Sequence, residues 1–145
     1  MRADRFETLP EDKLAPWKNF GRWNDRTYFP ELVGLEVEEI RRDYCRMRLP
    51  FRPELEQPAG VVHGGALATL IDTVVVPAIG SAYGPEVQFM TVNMNISYLG
   101  AVVSQDVVAE GWVTRRGRTM AFCRAEAICN GKVVIEGSLT YAIRS

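Results

Sequence analysis

Residues 120–129, MAFCRAEAIC, carry the strongest constraint on the fold of this chain. Every second position (Ala121, Cys123, Ala125, Ala127 and Cys129) holds a small side chain. A period of two is the signature of a β-strand. A sheet face lined only by small side chains leaves room for a bulky element, most simply a helix, to lie close against it. The segment from Gly64 to about Ser81 can supply that helix. Ala66, Leu67, Ala68, Leu70 and Ile71 favour helix, whereas Val74-Val75-Val76-Pro77 would suit a strand. Length decides: a stretch this long and apolar nearly all round fits a buried central helix that ends or kinks near Pro77. One buried helix against a long antiparallel sheet is an α+β arrangement.

The rest of the sheet follows from the same period. In MTVNMNISY the set Met90, Val92, Met94, Ile96, Tyr98 alternates with Thr91, Asn93, Asn95, Ser97, which predicts a half-buried strand. Val107 to Thr114 predicts another, closed by the turn RRGRT with Gly117 available for a positive φ. Asn130-Gly131 predicts a two-residue hairpin turn, after which Val133, Ile135, Gly137, Leu139, Tyr141 and Ile143 alternate with polar neighbours. Leu35 to Leu49 reads as one long or bent strand or a pair, and Pro50, Pro53 and Pro58 mark an extended connection. Leu14, Trp17, Phe20, Trp23 and Phe29, set among charges, suit a short amphipathic helix within residues 11–29. No repeat or linker divides the 145 residues, so they read as one domain, 1–145, with an N-terminal helical extension over 1–31.

Composition narrows the function. A net charge of −1 offers no electrostatic case for nucleic acid or an anionic membrane. The longest apolar stretch, around residues 66–79, is broken by Asp72 and Pro77 and is too short to span a bilayer. Cys45, Cys123 and Cys129 have no CxxC spacing and only one histidine to join them. That argues against a zinc site and a disulfide framework and for reduced thiols in a cytoplasm. The N-terminus, MRADRFETLPEDK, is charged rather than apolar, unlike a signal peptide, and the Asn95-Ile96-Ser97 sequon is then accidental.

The chemistry-bearing stretch is VVHGGALATLID, residues 61–72: the single histidine, two glycines, and a carboxylate nine residues after the histidine inside an apolar run. With Gln57-Pro58-Ala59-Gly60 before it and Thr91-Val92-Asn93-Met94-Asn95-Ile96-Ser97-Tyr98 after it, the pattern resembles the hotdog-fold acyl-CoA thioesterases, in particular the phenylacetate-degradation branch. RRGRTMAF and GKVVIEGSLTY resemble it too, and the likeness covers roughly residues 32–143. The resemblance implies an antiparallel sheet of five or six strands wrapped around a central helix. It also implies homodimers joined edge to edge, commonly dimers of dimers, that hydrolyse acyl-CoA without a metal or other cofactor.

Gly64 and Asp72 lie eight residues apart, a rise of about 12 Å on one helix. An oxyanion donor and a base must both lie about 3 Å from the reacting centre, so one helix cannot supply both. The family likeness implies that a second subunit does. The first-turn amides of a helix lack intrahelical acceptors and face the positive end of its dipole. The Gly64 amide, with Gly65 behind it, is therefore the expected oxyanion hole, against the plainer reading that the two glycines permit tight helix contact. Asp72 is the expected general base or nucleophile, a choice the sequence leaves open. Otherwise it is a solvated or capping aspartate.

The family likeness gives Gln57 a contact with the carbonyl or the water, and Thr91 a hold on the nucleophilic water; each is equally a loop amide and a solvent-facing strand threonine. Val76 departs from members that carry a hydroxyl one turn after the aspartate. His63 is expected to fix the loop before the helix, with a substrate contact as the alternative. Arg115, Arg116 and Arg118 around Gly117 either meet the CoA phosphates or form a solvated hairpin. Gly100-Ala101 stand where the family carries Arg-Pro. Tyr83, Phe89 and Trp112 could line an aryl or medium-chain acyl pocket, closed by the aromatic N-terminal segment, or belong to the core. An acyl-CoA thioesterase is the first functional reading. An acyl-CoA-binding hotdog module without turnover is the second. A dehydratase is disfavoured because the Gly-Gly-to-Asp spacing does not fit its histidine–carboxylate arrangement.

Overall fold

A computed structural model describes residues 2–145. The chain runs through a short helix α1 (Glu11–Leu14), a two-stranded ribbon β1 (Arg22–Trp23) and β2 (Arg26–Thr27), helix α2 (Phe29–Val33), strands β3 (Glu36–Arg41) and β4 (Tyr44–Leu49), and the long helix α3 (Gly64–Gly80). Four strands complete it: β5 (Gln88–Tyr98), β6 (Val107–Arg116), β7 (Met120–Cys129) and β8 (Lys132–Arg144). The six long strands form one antiparallel sheet in the order β3-β4-β6-β7-β8-β5, against which α3 lies.

The small-residue face receives the helix as expected. Gly111, Ala125 and Gly137 pair side by side across β6, β7 and β8. A Cβ added to Gly111 would stand 2.9 Å from Val74 Cγ1, and one on Gly137 3.1 Å from Ile71 Cγ2. The helix backbone thus approaches the sheet more closely than larger side chains would permit. Leu70, Ile71, Val74, Val75 and Ile79 are fully buried in consequence, each contributing about 1.5–3 kcal/mol of apolar transfer. Pro77 neither ends the helix nor caps it: α3 continues to Gly80. Its last turn is held from outside, by the Ser81 hydroxyl donating to the Ala78 carbonyl and by Arg116 Nη1 donating to that of Ile79. Asn130 and Gly131 both adopt positive φ in the β7–β8 hairpin, as a type I′ turn requires. No helix among the described residues is long and apolar enough to cross a membrane.

Two expectations are corrected. Residues 11–29 do not form one amphipathic helix. Pro16 sits in a 3-10 turn directly after α1, and Asn19, Gly21, Asn24 and Asp25 all take positive φ, which no helix tolerates. Nor does β5 present one alternating face. Its register against β8 shifts between Thr91 and Asn93, and such a bulge exchanges the two faces of a strand. Phe89 and Thr91 therefore share the inner face with Met94, Ile96 and Tyr98. Met90, paired with Ala142, points outward and is 45% exposed. β5 is also an edge strand, and Val92 and Tyr98 are more than half exposed on it.

The segment from Arg2 to Phe6 crosses the outer face of the sheet. Arg2 lies 3.8 Å over the Trp112 ring and pairs with Glu126 at 2.9 Å, while Phe6 stacks on buried Tyr44. Trp112 is thus on the opposite face from α3 and lines no acyl pocket.

Candidate active site

The β5 bulge is what assembles the site. By turning Thr91 inward it places that side chain opposite Tyr141 of β8, and both reach Asp72 on α3. Thr91 Oγ1 donates to Asp72 Oδ1 at 2.9 Å; the Tyr141 hydroxyl, 2.6 Å from the same oxygen and 2.6 Å from the Asp72 carbonyl, donates there as well. Burial, and then the Asp72 carboxylate beside it, push the Tyr141 hydroxyl well above its usual pKa of 10.0, so it remains a donor at neutral pH. Asp72 Oδ2 accepts no hydrogen bond among the described residues. One carboxylate oxygen is therefore fixed and the other is open, the arrangement needed to take a proton or to attack an electrophile.

The other end of α3 is equally specific. His63 is the N-cap, and its Nδ1 accepts the Gly65 amide at 2.7 Å. Gly65 thus has its N–H engaged, whereas the Gly64 N–H has no acceptor among the described residues. The Tyr98 hydroxyl donates to the Gly64 carbonyl at 2.8 Å, tying the helix start to the far end of β5. His63 accordingly occupies the loop-fixing position, and Gly64 offers the free donor at the positive end of the helix dipole.

The remaining candidates separate. The Gln57 carboxamide oxygen accepts from the Ala59 N–H at 2.6 Å, closing its own loop and leaving its amino group open. Arg116 is turned inward: it pairs with Asp43, donates to the Ile79 carbonyl and lies 5.0 Å over Tyr83. It fastens the β6–β7 hairpin to the C-terminus of α3, where a cation meets the negative end of the dipole, and is not free for a phosphate. Arg115 and Arg118 are exposed with no partner among the described residues. Gly117 does not use a positive φ; its N–H donates to Met120 O, where a Cβ would come within 3.2 Å. Among the described residues no three His, Cys, Asp or Glu side chains cluster as metal ligands would.

Sequence reasoning missed Tyr141 and Tyr98. Both sat in alternating apolar sets and looked like core. For Tyr141 the signal available was a hydroxyl that must find a partner once its ring is buried; Tyr98, more than half exposed, carried none.

Residues 59–136, more than half of the chain, match the thioesterase superfamily. Acyl-coenzyme A thioesterase 13 of Homo sapiens is 31% identical over 101 residues, 66% of this chain and 69% of that protein. The chain spans about two-thirds of the length of the first curated relatives it matches, 66% in each. A conserved protein from Pseudomonas aeruginosa of known structure is 32% identical and superposes with a TM-score of 0.78, covering 82% of this chain and 95% of that one. The phenylacetic acid degradation protein PaaI of Thermus thermophilus, at 23% identity, shares the fold with a TM-score of 0.72, over 79% and 96% of the two chains. The sheet wrapped on α3 is the hotdog fold, and the chain belongs to the thioesterase superfamily.

Proposed function

We propose that this protein hydrolyses acyl-CoA thioesters to the free acid and CoA in a site shared by two copies of the chain. The observation that carries the reading is the Asp72 carboxylate, held at one oxygen by Thr91 and Tyr141 and open at the other. The thioester carbonyl accepts the Gly64 N–H of one subunit, and Asp72 of the other subunit acts on it. Asp72 Oδ2 either takes a proton from water as its oxygen adds to the carbonyl carbon, or attacks that carbon itself and is freed by water afterwards. In the first route the C–S bond breaks, the proton held by Asp72 passes to the departing thiolate, and the acid is released; in the second the C–S bond breaks as the anhydride forms, and the water that then cleaves the anhydride supplies the acid's oxygen, restores the Asp72 carboxylate and yields the proton taken by the thiolate. Incorporation of labelled water oxygen into Asp72 separates the two.

Two features support the shared site. Gly64 and Asp72 are about 12 Å apart along α3, and β5 offers a long unpaired apolar edge between them, a surface that proteins cover by pairing. A homodimer, able to associate further into dimers of dimers, joins these edges. Gln57 and Thr91 orient the water, His63 and Gly65 shape the helix start, and exposed Arg115 and Arg118 meet the CoA phosphates. No cofactor beyond the CoA of the substrate is invoked. The three buried free thiols suit a cytoplasmic enzyme.

The test pairs two inactive chains. Asp72→Asn removes the working carboxylate. Gly64→Pro removes the N–H and adds a small ring whose Cβ stands 3.5 Å from Tyr98, an ordinary contact; proline is tolerated at the first helical position, and His63 already has ψ 134, which proline accepts in its predecessor. Each variant alone loses about 100- to 1,000-fold or more in thiol release. Co-expressed, they recover about one quarter of wild-type activity, since about half the dimers are mixed and each mixed dimer keeps one of its two sites. Mixed dimers as inactive as the parents would overturn the shared site. Near-wild-type rates for Asp72→Asn would remove Asp72 from the chemistry. Tight acyl-CoA binding without release of thiol by the wild type would leave a binding module.

A further inference from the structure

We propose that Tyr98, at the far end of β5, is a positioning residue that holds the Gly64 oxyanion donor in its working direction. This rests on the hydrolase reading above and deepens it. Gly64 needs holding. A donor lowers the barrier only if it already points at the oxygen where charge develops, and two successive glycines are the loosest backbone a chain can offer.

The two glycines are pinned through the peptide group that joins them. Its carbonyl, that of Gly64, accepts the Tyr98 hydroxyl at 2.8 Å, and its N–H, that of Gly65, donates to His63 Nδ1 at 2.7 Å. Hydrogen bonds in series strengthen one another, so the Tyr98 contact also tightens the His63 cap. The ring adds a wall: Tyr98 Cε1, Cζ and Oη stand 3.5 Å from where a Cβ on Gly64 would be. The peptide is fixed at both ends, and the Gly64 N–H, with no acceptor among the described residues, keeps one direction.

Both halves of the site hang from β5. Thr91 fastens Asp72 toward one end of the strand, and Tyr98 fastens Gly64 at the other. The two are seven positions apart, an odd number that puts them on opposite faces of a regular strand. The bulge between Thr91 and Asn93 returns both to the inner face. The Asn95 carbonyl points toward β8, 3.3 Å from where a Cβ on Gly137 would be. By alternation, Met94 and Ile96 turn their N–H and C=O to the open edge, ready for another strand. Two such edges paired antiparallel about a two-fold axis bring the Thr91 end of one beside the Tyr98 end of the other, on the same face. Asp72 of one copy then meets the Gly64 that Tyr98 of the other copy holds.

The experiment uses the full chain with acetyl-, hexanoyl- and palmitoyl-CoA as probes. Tyr98→Phe keeps the ring against Gly64 and deletes the hydroxyl. Its kcat falls about three- to tenfold, the loss of one ordinary hydrogen bond, while KM stays within about twofold. Two mixed dimers, purified from differently tagged chains, then locate the effect. One pairs an Asp72→Asn chain with a Tyr98→Phe chain. The other pairs a chain carrying both changes with wild type. The two hold the same substitutions, so a general loss of structure slows them equally. In the first, the live site joins Gly64 and Tyr98 of one chain to Asp72 of the other, all intact, and the dimer keeps about half the wild-type rate. In the second, the live site uses the Gly64 that has lost its Tyr98 hydroxyl, and the rate is about three- to tenfold lower. Equal rates in the two dimers, or a wild-type kcat in Tyr98→Phe, overturn the proposal. The reverse order supports the hold of Tyr98 on Gly64 and refutes only the shared site. An arm without turnover reads the Gly65 amide proton by NMR. It moves upfield in Tyr98→Phe, because a peptide whose carbonyl loses a hydrogen bond donates less strongly at its N–H. A Gly65 resonance that stays in place overturns the proposal at any level of activity. If the wild type hydrolyses none of the three probes, the hydrolase reading fails alone, and the amide shift still decides whether Tyr98 holds the helix start.

Discussion

Replacing Tyr141 with phenylalanine deletes one oxygen atom from a side chain that is 3% exposed and leaves its ring in place. The lost hydroxyl lies 2.6 Å from Asp72 Oδ1, which then keeps only Thr91, at 2.9 Å. A hydrogen bond to a charged group contributes about 1.5–3 kcal/mol. Because Thr91 still restrains the same oxygen, the lower part of that range applies, and kcat falls about ten- to thirtyfold. KM stays within about twofold, since the hydroxyl touches Asp72 and not the substrate. Stability falls too: the same bond, at about 1.5 kcal/mol, lowers Tm by about 3–6 °C in a chain this long. Thr91→Ala behaves alike. The double variant loses more than the product of the two single losses, because each hydroxyl partly covers for the other at one atom. Thiol-release kinetics read the rates and circular dichroism the folding. A wild-type kcat in folded Tyr141→Phe, and again in the double variant, would refute the claim that fixing Oδ1 prepares Oδ2 for its work.

The close approach of α3 to the sheet has its own signature. Gly111→Val places a Cβ 2.9 Å from Val74 Cγ1 and 3.1 Å from the Val74 carbonyl carbon. Overpacking of this kind costs about 1–3 kcal/mol, and a Tm equal to wild type would show that the helix can move away freely. Stability also falls at high pH. Burial pushes the Cys123 thiol from 9.0 up to about 12, and raises Cys45, Tyr44 and Tyr141 further still. Above pH 9.0 the unfolded chain sheds the two thiol protons, and above 10.0 the two tyrosine protons, while the native state keeps them, so stability is full below pH 9.0 and is lost as pH rises toward the native values. A Tm that stays level from pH 8 to 11 contradicts this.

Much of the fold was legible because it rests on local chemistry. The small side chains at alternate positions of 121–129 announced a helix lying on that face, and Gly111 and Gly137 continue the same row on the neighbouring strands. Asn130-Gly131 specified its own turn. In the N-terminal segment the aromatic spacing suggests a helix, but Pro16 and the turn-forming Asn19, Asn24 and Asp25 break it.

By itself the sequence determined the sheet, the buried helix, and the positions of Gly64 and Asp72 at its two ends. These follow from periodicity and backbone chemistry within a few residues. Tertiary structure alone decided what surrounds them. A bulge at Thr91–Asn93 leaves no trace in a clean alternation, yet it turns Thr91 toward Asp72. Tyr141, 69 residues from Asp72, meets it only when α3 lies against β8. Arg116 and Trp112 find their partners at similar range, in Asp43 and Arg2. Hydrogen bonds between residues so distant in the chain depend on strand register, and register is set by the whole sheet rather than by any stretch of sequence within it.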